Sequence, residues 1–117
     1  SILIDSAPES GGRNTGPRPM ELMLVGAAAC STFDIVKLLN DKCSCLKLCR
    51  VSVTAERKKN TPKVFSEISI HFTLKGTNLE EADVDWAINR TKNELGSGNA
   101  MLAKTALISY GYTIIKE

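Results

Sequence analysis

Residues 19–40 read PMELMLVGAAACSTFDIVKLLN, and how this stretch folds decides how the rest of the chain is arranged. Proline at a first helical position is compatible with a helix start, because the N–H it lacks would have no intrahelical acceptor. From Leu22 to Phe33 no residue carries a charge. At 1.5 Å per residue this uncharged run covers only about 18 Å, short of the ~20 apolar residues that cross a bilayer, so it predicts a buried core helix and no membrane partner. Gly26, Ala27, Ala28 and Ala29 let another backbone approach the turn that carries Cys30. A thiol in that setting is either inert filling or a sheltered nucleophile.

Working outward, residues 2–18 begin with Ile2 and Ile4 alternating like the end of a strand, then turn into a loop punctuated by Pro8, Gly11, Gly12, Gly16 and Pro17. Proline removes donors and glycine tolerates positive φ, so this segment carries no regular structure and delivers Arg13 and Arg18 to the start of the central helix. The strand-like opening leads us to expect that an N-terminal strand segment is truncated.

Beyond the helix, Val51, Val53 and Ala55 alternate with Ser52, Thr54 and Glu56. Ile68, Ile70, Phe72 and Leu74 alternate in the same way with Ser69, His71, Thr73 and Lys75. Period-2 alternation is the signature of half-buried strands, and the Asn60 and Pro62 turn between them predicts an antiparallel hairpin. Thr77 with Glu80, or Asn78 with Glu81, offers a capping pair for an amphipathic helix reaching about Leu95. Gly96-Ser97-Gly98-Asn99 breaks it, a short helix follows from Ala100 to about Lys104, and Ile108 to Ile114 alternate in a last strand. The order predicts a single α+β domain over residues 1–117, with a mostly antiparallel sheet on the central helix. So small a sheet would gain from pairing with a second copy.

Fifteen basic and thirteen acidic residues nearly balance, and no basic stripe with interleaved aromatics marks a nucleic-acid binder. Four cysteines in 117 residues are too sparse for a secreted disulfide scaffold, so a cytoplasmic location is expected. Cys43-x-Cys45-x-x-x-Cys49 lacks the two close ligand pairs of a structural zinc site, and His71 has no spacing that would add it to the set; neither metal nor cofactor is expected. His71 reads as a polar residue on the open face of its strand. Glycines before a helix can hold an anion, but the segment at residues 96–99 has neither the length nor the lysine of a phosphate loop and reads as a plain break.

The stretches GGRNTGPRPMELMLVGAAACSTFDIV, VTAERKKNTPKVFSEISIHFTLKG and AMLAKTA, in this order, resemble the OsmC/Ohr family of small stress proteins, most closely its uncharacterised OsmC-like branch. The resemblance implies an intertwined homodimer whose sheets wrap two central helices. It also implies a thiol peroxidase of the organic hydroperoxide reductase type, acting in oxidative stress. In that mechanism a reactive cysteine on the central helix is polarised by an Arg and a Glu, and is resolved by a second cysteine. Cys30 matches the reactive position. The second cysteine belongs in a KYCSV-like segment, and Gly96 stands in its place. The acid follows the helix proline directly in the characterised peroxidases, whereas here Met20 does and Glu21 is displaced by one residue, a rotation of about 100° around the helix.

Three readings stay open. In the first, Cys30 is the nucleophile, Arg13 or Arg18 stabilises its thiolate, Glu21 positions the Arg, and an external thiol reductant or a partner-subunit cysteine completes the cycle on an organic hydroperoxide. In the second, the chain is a non-catalytic homodimer that binds a small apolar ligand and has lost turnover with the second thiol. The third is a structural dimer. Thirteen residues of straight helix separate Cys43 from Cys30 by about 20 Å, against the ~6 Å between Cα atoms that a disulfide needs, so resolution within one chain would require the chain to fold back.

Overall fold

A computed structural model describes residues 1–43 and 46–116; Cys45, and the side chain of Cys43, lie outside the described residues. The central helix α1 runs from Pro19 to Cys43, 25 residues without a break. It is followed by strands β1 (Leu46–Arg57) and β2 (Phe65–Gly76), helix α2 (Glu81–Arg90), a π-helical turn (Thr91–Leu95), helix α3 (Ser97–Leu102) and strand β3 (Leu107–Ile115). The class is α+β, as expected.

β1 and β2 form the expected antiparallel hairpin, with Val51 opposite Phe72, Val53 opposite Ile70 and Ala55 opposite Ile68. The alternating apolar residues therefore meet on one face, where cross-strand pairs stabilise a sheet. β3 joins the other edge of β2 and runs parallel to it. A parallel neighbour needs a long crossover, and the segment containing α2 and α3 supplies it. His71, on the open face, shares a hydrogen bond of 2.8 Å with Thr113 Oγ1.

The core joins Ile35, Leu38 and Leu39 of α1 to Ile68, Ile70, Phe72 and Leu74 of β2 and to Val84, Ala87 and Ile88 of α2. Lys42 near the end of α1 lies 4.3 Å from the ring centre of Trp86 and 3.4 Å from the Asp83 carboxylate, tying α1 to α2.

Four expectations need correction. The helix is far longer than its uncharged run, and by length and composition alone it would reach across a bilayer. Its Ala27, Ala28, Ser31, Ile35, Leu38 and Leu39 face is nevertheless buried within this chain's own core. The burial is one-sided: Met23, Val25, Gly26, Cys30 and Phe33 face outward, Phe33 being 77 % exposed. Neither Thr77 nor Asn78 caps α2. Its N-cap is Glu80, which makes no side-chain cap bond, while Asn78 sits at φ 55°, a left-handed conformation that asparagine tolerates. Ile2 and Ile4 lie in no strand among the described residues, because no edge pairs with them, and both are exposed.

The shape is open. The radius of gyration is 16.0 Å, where a compact chain of this length would have about 13 Å, and the principal extents are 49 × 28 × 23 Å.

Candidate functional site

The site is built on the middle of α1. Ser31 and Thr32 turn their hydroxyls back along the helix, donating to the carbonyl oxygens of Ala27 at 3.2 Å and Ala28 at 2.8 Å. Such back-bonding gives each hydroxyl proton an acceptor within the helix and keeps the surface of the turn small. That small surface admits α3 closely. A Cβ placed on Gly98 would lie 3.4 Å from the Ala27 Cα and 3.6 Å from the Cys30 sulfur. Cys30 is thus at the seam between the side of α1 that α3 covers and the side left open. It is a free, exposed thiol, and among the described residues its sulfur makes no hydrogen bond.

Asn99 holds this arrangement. It is 3 % exposed, and its Nδ2 donates to Ser31 Oγ at 2.5 Å and to the Tyr110 hydroxyl at 2.6 Å, linking α3 to α1 and β3. Its Oδ1 is buried with no hydrogen-bond partner among the described residues. Burial pushes the Tyr110 hydroxyl above its ordinary range, and the bond from Asn99 opposes that rise. The sequence reading missed Ser31, Gly98, Asn99 and Tyr110. A signal was present for two of them: Ser31 stands on the stripe shared by Ala27, Ile35 and Leu38, and Asn99 lies three residues before Leu102 on the inner side of α3, so both polar residues required partners.

The other candidates sit at the start of α1. Arg18 is the N-cap residue, and the Glu21 carboxylate accepts its backbone N–H at 2.7 Å, one half of a capping box. Arg18 Nη1 donates to the Gly16 carbonyl at 3.2 Å. Glu21 therefore fixes Arg18 through the main chain. The preceding loop is folded around Asp5, whose carboxylate accepts the backbone N–H groups of Ser6, Arg13 and Thr15 and the Thr15 hydroxyl. The Thr15 hydroxyl first, and then the three backbone donors, hold this carboxyl well below its usual range. Twelve residues of helix put Arg18 about 18 Å along the axis from Cys30. Neither the Arg13 nor the Arg18 guanidinium makes a hydrogen bond or ion pair with Cys30 among the described residues.

Gly96 does not look toward Cys30. A Cβ there would meet the Thr91 carbonyl oxygen at 2.8 Å, the same oxygen that accepts the Gly96 N–H at 2.7 Å and closes the π-turn. Cys49, the other free thiol described, is half-buried on β1, and burial raises it.

A sequence model of OsmC-like proteins matches residues 11–106. Protein YhfA of Escherichia coli K12 is 32% identical over 114 residues, spanning 97% of this chain and 82% of its own. The crystal structure of a hypothetical protein from Aquifex aeolicus is 25% identical and superposes with a TM-score of 0.83 over 91% of this chain and 79% of that one. The organic hydroperoxide resistance protein OsmC of Legionella pneumophila shares the fold at 15% identity, with a TM-score of 0.70 over 96% of this chain and 80% of that one.

Proposed function

The chain belongs to the OsmC-like family, and from that premise we propose that it is a homodimeric thiol peroxidase that reduces organic hydroperoxides through Cys30. The observation that carries this reading is the free, exposed Cys30 thiol at the seam between α3 and an uncovered apolar helix face. Related folds that include an organic hydroperoxide resistance protein support it.

The open face of α1 and the extended shape favour a second copy packed on that face. An antiparallel helix pair crossing at Gly26, where a Cβ would have nothing within 4 Å, sets residue 22 of one copy level with Cys30 of the other. Arg18 of the second copy then lies about 6 Å further along the axis, so its guanidinium reaches the sulfur that its own helix holds away from it. Arg13 on the adjoining loop is the alternative cation. Either one favours the thiolate, the nucleophilic form, and Glu21 contributes by capping the turn that carries Arg18.

The thiolate attacks the outer peroxide oxygen and the O–O bond breaks. The alkoxide leaves as alcohol on taking a proton, and Cys30 becomes a sulfenic acid. Apolar walls from Met23 and Phe33 suit an alkyl hydroperoxide better than hydrogen peroxide. An external thiol then returns Cys30 to the reduced form, and a reducing cytoplasm supplies such a thiol.

The test is consumption of tert-butyl and cumene hydroperoxide with a thiol reductant. Wild type should turn over and Cys30→Ser should not; inactivity of wild type, or full activity of Cys30→Ser, overturns the reading. The absence of a cysteine at both Gly96 and Gly98 favours a second reading, a binding protein without turnover. That protein would retain an apolar ligand after Cys30→Ser and consume no peroxide before it.

A further inference from the structure

Family resemblance aligns Gly96 with a resolving thiol, but the direction of the backbone selects another residue. A side chain at 96 would start into the Thr91 carbonyl, whereas one at 98 would start 3.6 Å from the Cys30 sulfur. In a disulfide, each Cβ lies about 3 Å from the opposite sulfur, so closure from position 98 asks for a shift of about half an ångström. Six residues of helix cannot hold such a position unaided. Asn99 holds it, through Ser31 next to Cys30 and through Tyr110 on β3.

We propose that Gly98, fixed by Asn99, determines how oxidised Cys30 is reduced: it stands where a resolving side chain would start, carries none, and so leaves the sulfur open to a low-molecular-weight monothiol. The proposal rests on the peroxidase reading and specifies its second half. The sulfenic acid condenses with one monothiol, the S–O bond breaking as the S–S bond forms and water leaving with the thiol proton. A second monothiol attacks the sulfur of the bound thiol, releasing Cys30 as the thiol and a small disulfide as product. Two electrons pass from two monothiols to one hydroperoxide. Gly98 is then the specificity residue and Asn99 a positioning residue.

The experiment compares Gly98→Cys with Gly96→Cys in the full chain. With diamide as oxidant, which bypasses any peroxidase activity, Gly98→Cys should close an intrachain bond between Cys30 and the introduced thiol at least tenfold faster than Gly96→Cys does, as read by peptide mass. Adding Asn99→Ala to Gly98→Cys should slow closure several-fold while the far-ultraviolet circular dichroism is kept. Gly98→Val should slow reduction of peroxide-oxidised Cys30 by 2-mercaptoethanol at least tenfold. Faster closure from position 96, or equal reduction rates in Gly98→Val and wild type, overturns the proposal. A wild type inert to hydroperoxide removes the peroxidase reading and the redox cycle built on it, whatever the diamide result. A wild type that reacts but shows no preference for position 98 removes this proposal alone.

Discussion

Phe33→Ala is the substitution that most directly probes the open face of α1. In a single chain Phe33 is 77 % exposed, on the same side as Gly26 and Cys30, so its ring contributes almost nothing to the fold of the monomer. Full burial of a phenylalanine side chain is worth about 1.5–3 kcal/mol. A dimer formed through this face buries the ring of each copy. Scaling that burial by the exposed fraction and doubling it for two copies gives a loss of roughly 2–5 kcal/mol in association on truncation to alanine. At about 1.4 kcal/mol per tenfold change, the dissociation constant should rise roughly thirty-fold to several-thousand-fold. Sedimentation velocity over a concentration series measures this, with circular dichroism showing that the fold is retained. A wild type that stays monomeric at high micromolar concentration, or a Phe33→Ala variant that associates as tightly as wild type, would show that this face does not carry the association.

Asn99→Ala removes the donor that serves Ser31 and Tyr110 and also the unpartnered Oδ1, so the net loss should be about 1–3 kcal/mol in urea unfolding, with Tyr110→Phe costing less. Gly96→Ala brings a Cβ to 2.8 Å from the Thr91 carbonyl oxygen and should destabilise by about 1–3 kcal/mol, whereas Gly98→Ala, with contacts of 3.4–3.6 Å, should stay close to wild type. The Asp5 carboxyl is held below its unfolded value, so its contribution to loop order is complete above about pH 4 and declines only as pH falls towards the depressed folded value. Carbon-detected NMR should find Asp5 still ionised at about pH 3, with the Arg13 and Thr15 amide shifts following its titration; an ordinary midpoint near the free-aspartate value of about 3.9 would show that the four hydrogen bonds do not persist in solution.

The hairpin was legible because period-2 alternation fixes which residues share a face, and antiparallel pairing then sets Val53 against Ile70. Periodicity carries no information on the direction of a neighbour, which is why the parallel placement of β3 emerges only from the crossover. On α1, the absence of charge from Leu22 to Phe33 marked a helix buried somewhere, but not which of its faces the same chain covers. The site was half legible. Cys30 stood out by its small neighbours, and Arg18 and Glu21 by their place beside the helix proline. Which position of the segment at 96–99 would face Cys30 was not, because the π-turn at Thr91–Leu95 closes on Gly96 and aims its Cβ direction at the Thr91 carbonyl, whereas Gly98 on α3 stands beside the sulfur. Local propensity does not announce a π-turn: it is one extra residue in a helix whose side-chain pattern is otherwise ordinary.

Nucleophilic attack of Cys30 on alkyl hydroperoxides is read out by the mass of the Cys30 peptide after one equivalent of cumene hydroperoxide, with dimedone present to trap a sulfenic acid. The dimedone adduct should form on Cys30 at least tenfold faster than with hydrogen peroxide, with little on Cys49. Adduct spread equally over Cys30 and Cys49, or Cys30 recovered unmodified, would show that Cys30 is not the nucleophile.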